Sequence, residues 1–499
     1  MISHRELSIN PNYDALIIGG GINGAAIANI AASCGLKVVL VEKGDFAGGT
    51  SSKSTKLIHG GLRYLENFEF DLVREALKER AIQLKNVPHL VKPIEFIIPV
   101  YRSGPRPFWM IKLGVFLYDV LSGKYLISKH RILNSTEILQ RIPQIQKDGL
   151  IGGISYHDAQ MDDARLCLEN ILSARAKGVK VANYVEVQAL LKEKDKVVGV
   201  EVLDRISGRK SEIHAKNVIC AVGPWANRFW QMDTSSALPK IRTTKGIHLV
   251  YNEKICENAL LLQTKTGRRI FFVIPWKGQS LIGTTDTDYT GDPDQAGSEE
   301  QDVDYLLTEI KRFFPTMTFD KNKIVTTFAG LRPLVYAKGE PGKISRQHVI
   351  EKTDSGMIYV LGGKYTTYRR IAEECVEIIL EKKLDGAFLD YPLYGSGEIR
   401  DNVSSMARAY QLEEKIVELL RATYGTRYRD VLELTGQDPQ LRQPICSCSD
   451  VIGAQVVYAV QVEMACTVDD IVWRRVGIGY LPCSAKKCRE VIKTYLGKR

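Results

Sequence analysis

The sequence predicts an α/β protein with an additional helical part at its C-terminal end. Three observations predict this: a strand–helix–strand unit at the start of the chain, a strand-rich region from His248 to Asp286, and helical patterning after about Leu393. The 499 residues are enough for two or three domains. We therefore expect an α/β domain that is interrupted by an antiparallel sheet domain and followed by a small helical domain.

The composition and the charge distribution argue against several classes of protein. Hydrophobic residues make up 44% and charged residues 25%, as in ordinary globular proteins, and no apolar run is long enough to cross a bilayer. The N-terminal MISHRELSINPNYD lacks the apolar core of a secretory signal. The net charge is +10, but the basic residues are scattered, which argues against nucleic-acid binding. A basic surface still suits an anionic lipid or an anionic substrate.

The first element is the unit from Asp14 to Asp45, which predicts a dinucleotide site. Gly19, Gly21 and Gly24 have the G-x-G-x-x-G spacing. The first glycine permits a tight turn, the second lets the backbone approach a pyrophosphate, and the third lets helix pack on strand. Glu42 ends the second strand, where a carboxylate can accept hydrogen bonds from ribose hydroxyls. The unit alone does not distinguish NAD from FAD.

The next segment, Thr50 to Gly61 (TSSKSTKLIHGG), is too polar and glycine-rich for a regular element. We interpret it as a loop that touches a ligand, and the hydroxyls of Ser51, Ser52 and Ser54 suit hydrogen bonds to phosphate or ring atoms. Apolar residues at helical spacing then predict a helix from about Leu65 to Leu84.

The longest apolar stretch is Phe108 to Tyr118 (FWMIKLGVFLY), and it has two interpretations. With Arg102 and Arg106 nearby it could lie in a membrane surface. Short apolar runs are more often core, so the sequence favours a helix buried in the fold.

Further along the chain the patterning alternates between strand and helix. Strands are predicted at Val197 to Leu203 and Glu212 to Val222, and RRIFFVIPW and SLIGTTD flank a KGQ turn as an antiparallel hairpin would. A strand at Met357 to Leu361, a GGK turn and a helix at Thr366 to Lys382 follow.

Six motifs occur in a fixed order: GGGINGAA, TSSKSTKLIHGGLRYL, GPWAN, IGTTDTDY, GLRPL and GGKYTTYRR. Together they closely resemble FAD-dependent glycerol-3-phosphate dehydrogenases of the aerobic type, from about Asp14 to Val476. The resemblance implies a Rossmann-like FAD-binding domain of the glutathione-reductase/D-amino-acid-oxidase kind. It also implies an inserted antiparallel-sheet substrate domain and a C-terminal helical domain.

The resemblance implies domain boundaries as well. The FAD-dependent oxidoreductase region spans 12–390 and the helical domain 395–499. Within the first region, the FAD-binding parts are about 12–80, 150–230 and 328–390, and the substrate-domain parts are about 81–149 and 231–327.

The activity implied by the resemblance is oxidation of sn-glycerol 3-phosphate to dihydroxyacetone phosphate. Hydride passes from substrate C2 to flavin N5, and a quinone receives the electrons. Such an enzyme would be cytoplasmic and peripheral to the inner face of the cell membrane. The resemblance leaves open whether it forms a homodimer. The alternatives are an FAD-dependent oxidase that uses oxygen, acting on glycerol 3-phosphate or on another small substrate such as an amino acid, and a non-catalytic redox or binding protein.

Five side chains fit the implied substrate chemistry. A phosphate needs fixed cations, and the arginine fork suits it well. By resemblance Arg63 and Arg332 face the substrate, with Tyr64 beside Arg63. His248 is the predicted base for the hydroxyl proton, because histidine titrates in the right range. Lys364 would stabilise the reduced flavin, and could also hold the substrate hydroxyl.

The predicted cofactor contacts come from the same motifs. His59 is interpreted as a structural part of the flavin loop, and Thr366 as a helix cap or a flavin contact. The complete predicted set is Gly19, Gly21, Gly24, Glu42, Thr50, Ser51, Ser52, Ser54, His59, Gly223, Gly363, Lys364 and Thr366.

The C-terminal cysteines form a separate signal. Cys446 and Cys448 make one pair, Cys483 and Cys488 another, and four thiolates in two pairs could ligate a 2Fe–2S cluster or zinc. The spacing resembles the small iron–sulfur domain of bacterioferritin-associated ferredoxin. Against this, the surrounding sequence resembles the C-terminal domain of the aerobic enzymes, which needs no metal. Four free, partly buried thiols are the alternative.

Overall fold

The protein is described here from a computed structural model. It describes residues 12–236, 238–264, 269–337, 347–483 and 486–497. The prediction that the N-terminus lacks a secretory signal rests mostly on residues 1–11, which lie outside the described residues.

The described residues form strands and helices that are numbered here in chain order. The strands are β1 Tyr13–Ile18, β2 Val38–Glu42, β3 Leu57–Ile58, β4 Val91–Tyr101, β5 Arg131–Leu133, β6 Leu150–Met161, β7 Lys180–Asn183, β8 Val185–Glu193, β9 Lys196–Asp204, β10 Lys210–Cys220, β11 Ile241–Tyr251, β12 Ala259–Gln263, β13 Ile270–Trp276, β14 Gln279–Gly283, β15 Thr287–Asp288, β16 Ile324–Val335, β17 His348–Lys352, β18 Ile358–Gly362, β19 Pro444–Cys446 and β20 Ser449–Ile452. The helices are α1 Ile22–Ser33, α2 Phe70–Asn86, α3 Phe108–Ser122, α4 Ser135–Arg141, α5 Asp163–Ala176, α6 Ala226–Thr234, α7 Glu300–Phe313, α8 Tyr368–Leu380, α9 Val403–Tyr410, α10 Glu414–Tyr424, α11 Tyr428–Gln437, α12 Gly453–Gln461 and α13 Lys486–Leu496.

The first sheet has a parallel centre, in which β18, β10, β1, β2 and β7 lie side by side. β17 adds to one edge antiparallel, and β8 and β9 extend β10 as an antiparallel layer. Because side chains alternate along a strand, Ala15 and Ile17 of β1 pack toward α1, α5 and α8, whereas Leu16 and Ile18 pack toward β8 and β9. This is the layered α/β architecture that the first motif predicted.

The second sheet follows the order β15-β11-β14-β13-β12-β4-β6-β3, with β16 on β11 and β5 on β6. Its pairs are antiparallel within the described residues, apart from β12 with β4. The predicted hairpin is β13 and β14, so that expectation is confirmed. β6 and β16 also belong to this sheet, although the predicted partition placed residues 150–230 and 328–390 in the FAD-binding parts.

The C-terminal region is helical, as predicted, and a small β19–β20 hairpin accompanies the helices. It is joined to the first domain by buried charges. Asp45, which follows β2, contacts Arg475 at 2.8 Å and Arg474 at 2.5 Å. Arg165 of α5 contacts Glu463 at 2.6 Å, and both side chains are buried. The predicted fold class is therefore confirmed for the described residues.

Helix α3 differs from expectation. The stretch is helical, but only one side, which includes Ile111, Val115 and Tyr118, is buried. Trp109 is 64% exposed and Phe116 53% exposed. The prediction of a helix buried in the fold therefore holds for one side only, because an almost uniformly apolar run hides which side faces the protein. Among the described helices, none has the length and apolar character that a membrane span needs.

Candidate active site

A cavity of about 740 Å³ lies where the carboxyl ends of the parallel strands meet the second sheet. This is the edge at which open α/β sheets bind ligands. Of the predicted site residues, Gly24 and Ser52 do not line it. The others do: Gly19, Gly21, Glu42, Thr50, Ser51, Ser54, His59, Arg63, Tyr64, Gly223, His248, Arg332, Gly363, Lys364 and Thr366.

The glycine turn leaves no room for side chains. Gly19 has φ +109°, and a Cβ there would lie 2.7 Å from the Ala221 carbonyl oxygen. A Cβ at Gly24 would lie 2.0 Å from the Gly19 carbonyl oxygen, so the third glycine serves helix packing rather than ligand contact. Helix α1 begins after Gly21 without a side-chain cap from that residue and without an acidic residue in its first turn. Gly21, Ile22 and Asn23 line the cavity, so the positive end of the helix faces it.

Glu42 is held by the loop that follows it. Its carboxylate accepts hydrogen bonds from the backbone N–H groups of Gly20 at 2.7 Å and Gly44 at 2.8 Å. Burial raises the pKa of Glu42, and the two amide hydrogen bonds oppose that rise. The contacts fix the carboxylate at the end of β2, beside the glycine turn.

The hydroxyl-rich loop is tied down mainly by protein contacts. Ser51 Oγ accepts a hydrogen bond from the Ile22 N–H at 2.9 Å, and Thr50 donates to the Leu331 carbonyl at 2.6 Å. Ser54 donates to Asp163 at 2.7 Å. Ser52 is buried, and its carbonyl accepts from Lys56. The loop hydroxyls thus serve first to shape the cavity wall.

A buried ion pair anchors the same loop. Lys56 Nζ lies 2.6 Å from Asp163 Oδ1, and both side chains are almost fully buried. Burial lowers the pKa of Lys56, but Asp163 outweighs burial and the net pKa is raised. The loop is therefore fixed to the start of α5 from beneath.

Thr366 connects two predicted motifs. Its hydroxyl lies 3.2 Å from both the N–H and the carbonyl oxygen of His59. Thr366 therefore joins the loop to the turn between β18 and α8. Burial lowers the pKa of His59, which Asp158 raises and Lys364 lowers again. This agrees with a structural place for His59, although its cofactor contact stays a prediction.

Three of the cationic side chains that line the cavity are Arg63, Arg332 and Lys364. Lys364 Nζ lies 3.9 Å from the centre of the Tyr64 ring, next to Arg63. Arg332 projects from β16, with Nη1 3.1 Å from Asp286 and Nη2 2.9 Å from the Thr284 hydroxyl. Positive charge on the cavity wall can attract a small anion.

His248 lies on β11, and its side chain is buried. Nε2 is 3.0 Å from the Thr55 hydroxyl, and Nδ1 has no hydrogen-bond partner among the described residues. The ring stacks on Phe328 with centroids 5.1 Å apart. Burial lowers the pKa of His248 well below its usual value, and Arg332 and Lys56 lower it further. His248 is thus neutral at pH 7 and able to accept a proton.

Sequence reasoning missed two contributors to this wall. Thr55 orients His248, but it carries no signal apart from its place in the loop. Asp158 lines the cavity and binds Arg80 at 2.7 Å and the Tyr118 hydroxyl at 2.8 Å. Tyr118 also accepts from the Gly60 N–H at 2.8 Å. These long-range contacts join residues that no local pattern relates.

Comparisons with known proteins give the family of the chain. Residues 14–369 match the FAD dependent oxidoreductase family, and residues 389–499 match the C-terminal domain of alpha-glycerophosphate oxidase. The chain is 39% identical over 493 residues to the glycerol-3-phosphate dehydrogenase of Synechocystis, which covers 94% of this chain and 89% of that protein. It is 36% identical over 488 residues to the aerobic glycerol-3-phosphate dehydrogenase of Bacillus subtilis, with coverages of 93% and 87%.

A solved structure gives the same result. The glycerol-3-phosphate dehydrogenase of Bacillus halodurans, complexed with FAD, superposes with a TM-score of 0.81 at 28% identity and covers 98% of this chain and 91% of that chain. Glycine oxidase of Geobacillus kaustophilus has a TM-score of 0.58 at 18% identity, covering 78% of this chain and 100% of that chain, so it shares the fold. The chain therefore belongs to the FAD dependent oxidoreductases and, within them, to the glycerol-3-phosphate dehydrogenase family.

Proposed function

We propose that the protein oxidises sn-glycerol 3-phosphate to dihydroxyacetone phosphate. The observation that carries the proposal is the combination, in one cavity, of a neutral buried histidine with fixed cations. His248 supplies the base, and Arg63, Arg332 and Lys364 supply positive charge for a phosphate. An amino acid substrate would need a carboxylate clamp but would not use a separate phosphate site.

The residues present fit FAD. A side chain at position 19 would collide with the Ala221 carbonyl, so the turn must be bare backbone. The N-terminus of α1 lies beside this turn. A pyrophosphate requires both a close backbone and a helix N-terminus. Glu42, Gly363 and Lys364 line the cavity. Glu42 would accept hydrogen bonds from the ribose hydroxyls, and Gly363 and Lys364 would face the isoalloxazine ring. When bound, FAD supplies the acceptor for the hydride that leaves substrate C2.

The phosphate would replace part of the existing contacts of Arg332. Arg332 already shares its charge with Asp286, so the site is held in place before substrate arrives. A phosphate beside Arg332 would offset the positive charge that depresses the pKa of His248. Substrate binding therefore makes His248 a stronger base at the moment when the hydroxyl proton must leave.

His248 then accepts the proton of the C2 hydroxyl. The His248 ring lines the cavity, and the Thr55 hydroxyl, 3.0 Å from Nε2, orients it for this contact. The face of Phe328 excludes water from one side of the ring. Lys364 would stabilise negative charge that develops on the oxygen or on the cofactor.

We further propose that the enzyme works at a membrane surface and passes its electrons to a quinone. Trp109, Leu113, Phe116 and Val120 follow each other at helical spacing and are all exposed on α3. Phe68, 77% exposed, follows the turn that carries Arg63 and Tyr64, and α3 packs against this turn. An apolar helix face this close to the active site suits a peripheral enzyme whose acceptor is dissolved in lipid.

The activity is tested by the absorbance of the FAD-loaded protein under anaerobic conditions. We expect sn-glycerol 3-phosphate to bleach the flavin bands and glycerol to leave them unchanged. Bleaching by an amino acid such as glycine instead would refute the substrate and support the oxidase alternative. Reoxidation of the bleached protein by a soluble quinone faster than by dissolved oxygen would support the dehydrogenase, and the reverse order would support an oxidase.

The membrane surface is tested by co-sedimentation with vesicles that contain anionic lipid. The double substitution Trp109→Ser and Phe116→Ser should reduce the bound fraction strongly without changing the substrate-dependent bleaching. Ile206→Ser, at an exposed apolar site far along the chain, is the matched control and should bind like the wild type. If the wild type stays in solution and elutes as a dimer that the α3 variant abolishes, the face is instead a contact between two copies.

A further inference from the structure

The four C-terminal cysteines converge on one point outside the active-site cavity. Cys446 ends β19 and Cys448 lies in the turn before β20, whereas Cys483 precedes α13 and Cys488 lies within it. The four sulfur atoms all lie within 4.8 Å of one another. Cys488 is buried, Cys446 and Cys483 are half-buried, and Cys448 is exposed.

The structure joins these sulfurs as two disulfides, Cys446 with Cys488 and Cys448 with Cys483, where the sequence predicted unbridged cysteines. Each bridge connects one cysteine of the first pair to one of the second. Cys446 Sγ also lies 2.8 Å from Cys448 Sγ and 3.6 Å from Cys483 Sγ. Two independent bridges would not need such mutual contact, so the arrangement brings four sulfurs to one centre.

The remaining cysteines argue for a reduced state. Cys34 is partly exposed and forms no disulfide, and the buried Cys167, Cys220, Cys256 and Cys375 form none either. Free surface thiols are typical of proteins that work in a reducing compartment. There both bridges would open and leave four thiols in contact, which a metal ion can bind as thiolates with release of their protons.

We propose that Cys446, Cys448, Cys483 and Cys488 bind a thiophilic metal centre. Tetrahedral thiolates at about 2.3 Å from a metal lie roughly 3.8 Å from one another. The four sulfurs already lie within 4.8 Å of one another, so small side-chain movements after the bridges open would bring them to this spacing. Soft thiolate ligands select zinc or iron–sulfur centres over hard cations. The two hairpin cysteines and the two from the α13 side supply the four ligands that either centre takes.

The proposed metal site would also stabilise residues that pack behind the predicted base. Cys483 follows Tyr480, whose ring packs on Trp276 at 4.9 Å and on Phe328 at 6.1 Å. Phe328 in turn stacks on His248. A metal that fixes Cys483 to the β19–β20 hairpin therefore also fixes the segment that supports the predicted base. The metal proposal itself does not depend on the substrate.

The test is metal analysis of protein purified without air and without chelators, with flavin content measured as the control for folding. We expect about one zinc, or about two irons and two acid-labile sulfides, per chain. Iron should add visible absorption beyond the flavin bands, and zinc should not, so the two centres are distinguished.

Variants tie the metal to these ligands. Cys448→Ser, at the exposed ligand, should lose most of the metal and keep its flavin, while Cys466→Ser should retain both. Wild-type protein that stays metal-free after anaerobic incubation with zinc, and likewise with iron and sulfide, would overturn the proposal. So would a Cys448→Ser, Cys446→Ser double variant that keeps its metal, or mass analysis showing both disulfides intact in protein alkylated inside cells.

Discussion

The Arg332→Ala substitution gives the sharpest test of the phosphate site. Arg332 donates to Asp286 and Thr284, so its guanidinium is fixed before a ligand binds. A hydrogen bond to a charged group contributes about 1.5–3 kcal/mol. Because about 1.4 kcal/mol corresponds to a tenfold change, the KM for glycerol 3-phosphate should rise roughly 10- to 150-fold. Loss of the arginine also leaves the Asp286 charge less compensated, which pushes the result toward the upper end.

The assay follows substrate-dependent reduction of a soluble dye, with flavin content as the measure of intact protein. Arg332→Lys keeps the charge but loses the fork, and should fall between wild type and Arg332→Ala. Adding Asp286→Asn to Arg332→Ala should recover part of the lost affinity, because it removes a carboxylate that repels phosphate. The KM for the acceptor should not change. An unchanged substrate KM in flavin-loaded Arg332→Ala would show that the phosphate lies elsewhere.

Three further substitutions test other parts of the structure. His248→Asn should lower kcat by about 10²- to 10⁴-fold. Because the pKa of His248 is depressed, kcat/KM of the wild type should fall only well below pH 6.5. A fall in kcat/KM that is centred at pH 6.5 would refute the burial argument. Asp45→Asn should destabilise the protein to urea by about 3–5 kcal/mol. Burial alone would raise the pKa of Asp45, but Arg475 and Arg474 lower it to about 2. The part of the stabilisation that depends on this ionisation, about 2 kcal/mol, should be complete above about pH 5 and fade as the pH falls toward 2; equal acid sensitivity of wild type and variant would contradict it. Lys56→Met should lower the free energy of unfolding by a similar amount, because it leaves Asp163 buried without its counter-ion. Adding Asp163→Leu to this variant should restore part of the lost stability. If it restores none, the ion pair is not the cause of the loss.

Local patterns were sufficient for the parts of the fold that obey local rules. The Gly19 turn and Glu42 were predictable because a dinucleotide requires them at fixed spacing in one strand–helix–strand unit. The helix predicted from Leu65 begins only at Phe70, since a 3₁₀ segment occupies Leu62–Asn67. Its end was predicted to within two residues.

The remaining features depend on residues far apart in the sequence. Thr55 meets His248 across 193 positions, and Ser54 meets Asp163 across 109, so no window of sequence could reveal either contact. The exposure of Trp109 was missed for a different reason. Hydrophobicity indicates that a side chain avoids water, but it does not distinguish a side chain of the protein core from one on an interaction surface. The four C-terminal sulfurs likewise meet because the fold brings together two cysteine pairs that are distant in the sequence.

The contact of Asp45 with Arg474 and Arg475 has a consequence for how the chain can be divided. Family matches end at 369 and resume at 389, which invites cutting the protein there. Yet Asp45 follows directly on the loop that fixes Glu42, so the cofactor pocket and the C-terminal part share one buried charge cluster. A truncated chain would bury an acid without its counter-ions, and cofactor affinity would fall with it. By reciprocity, FAD must tighten the attachment of the C-terminal part as much as that part tightens FAD.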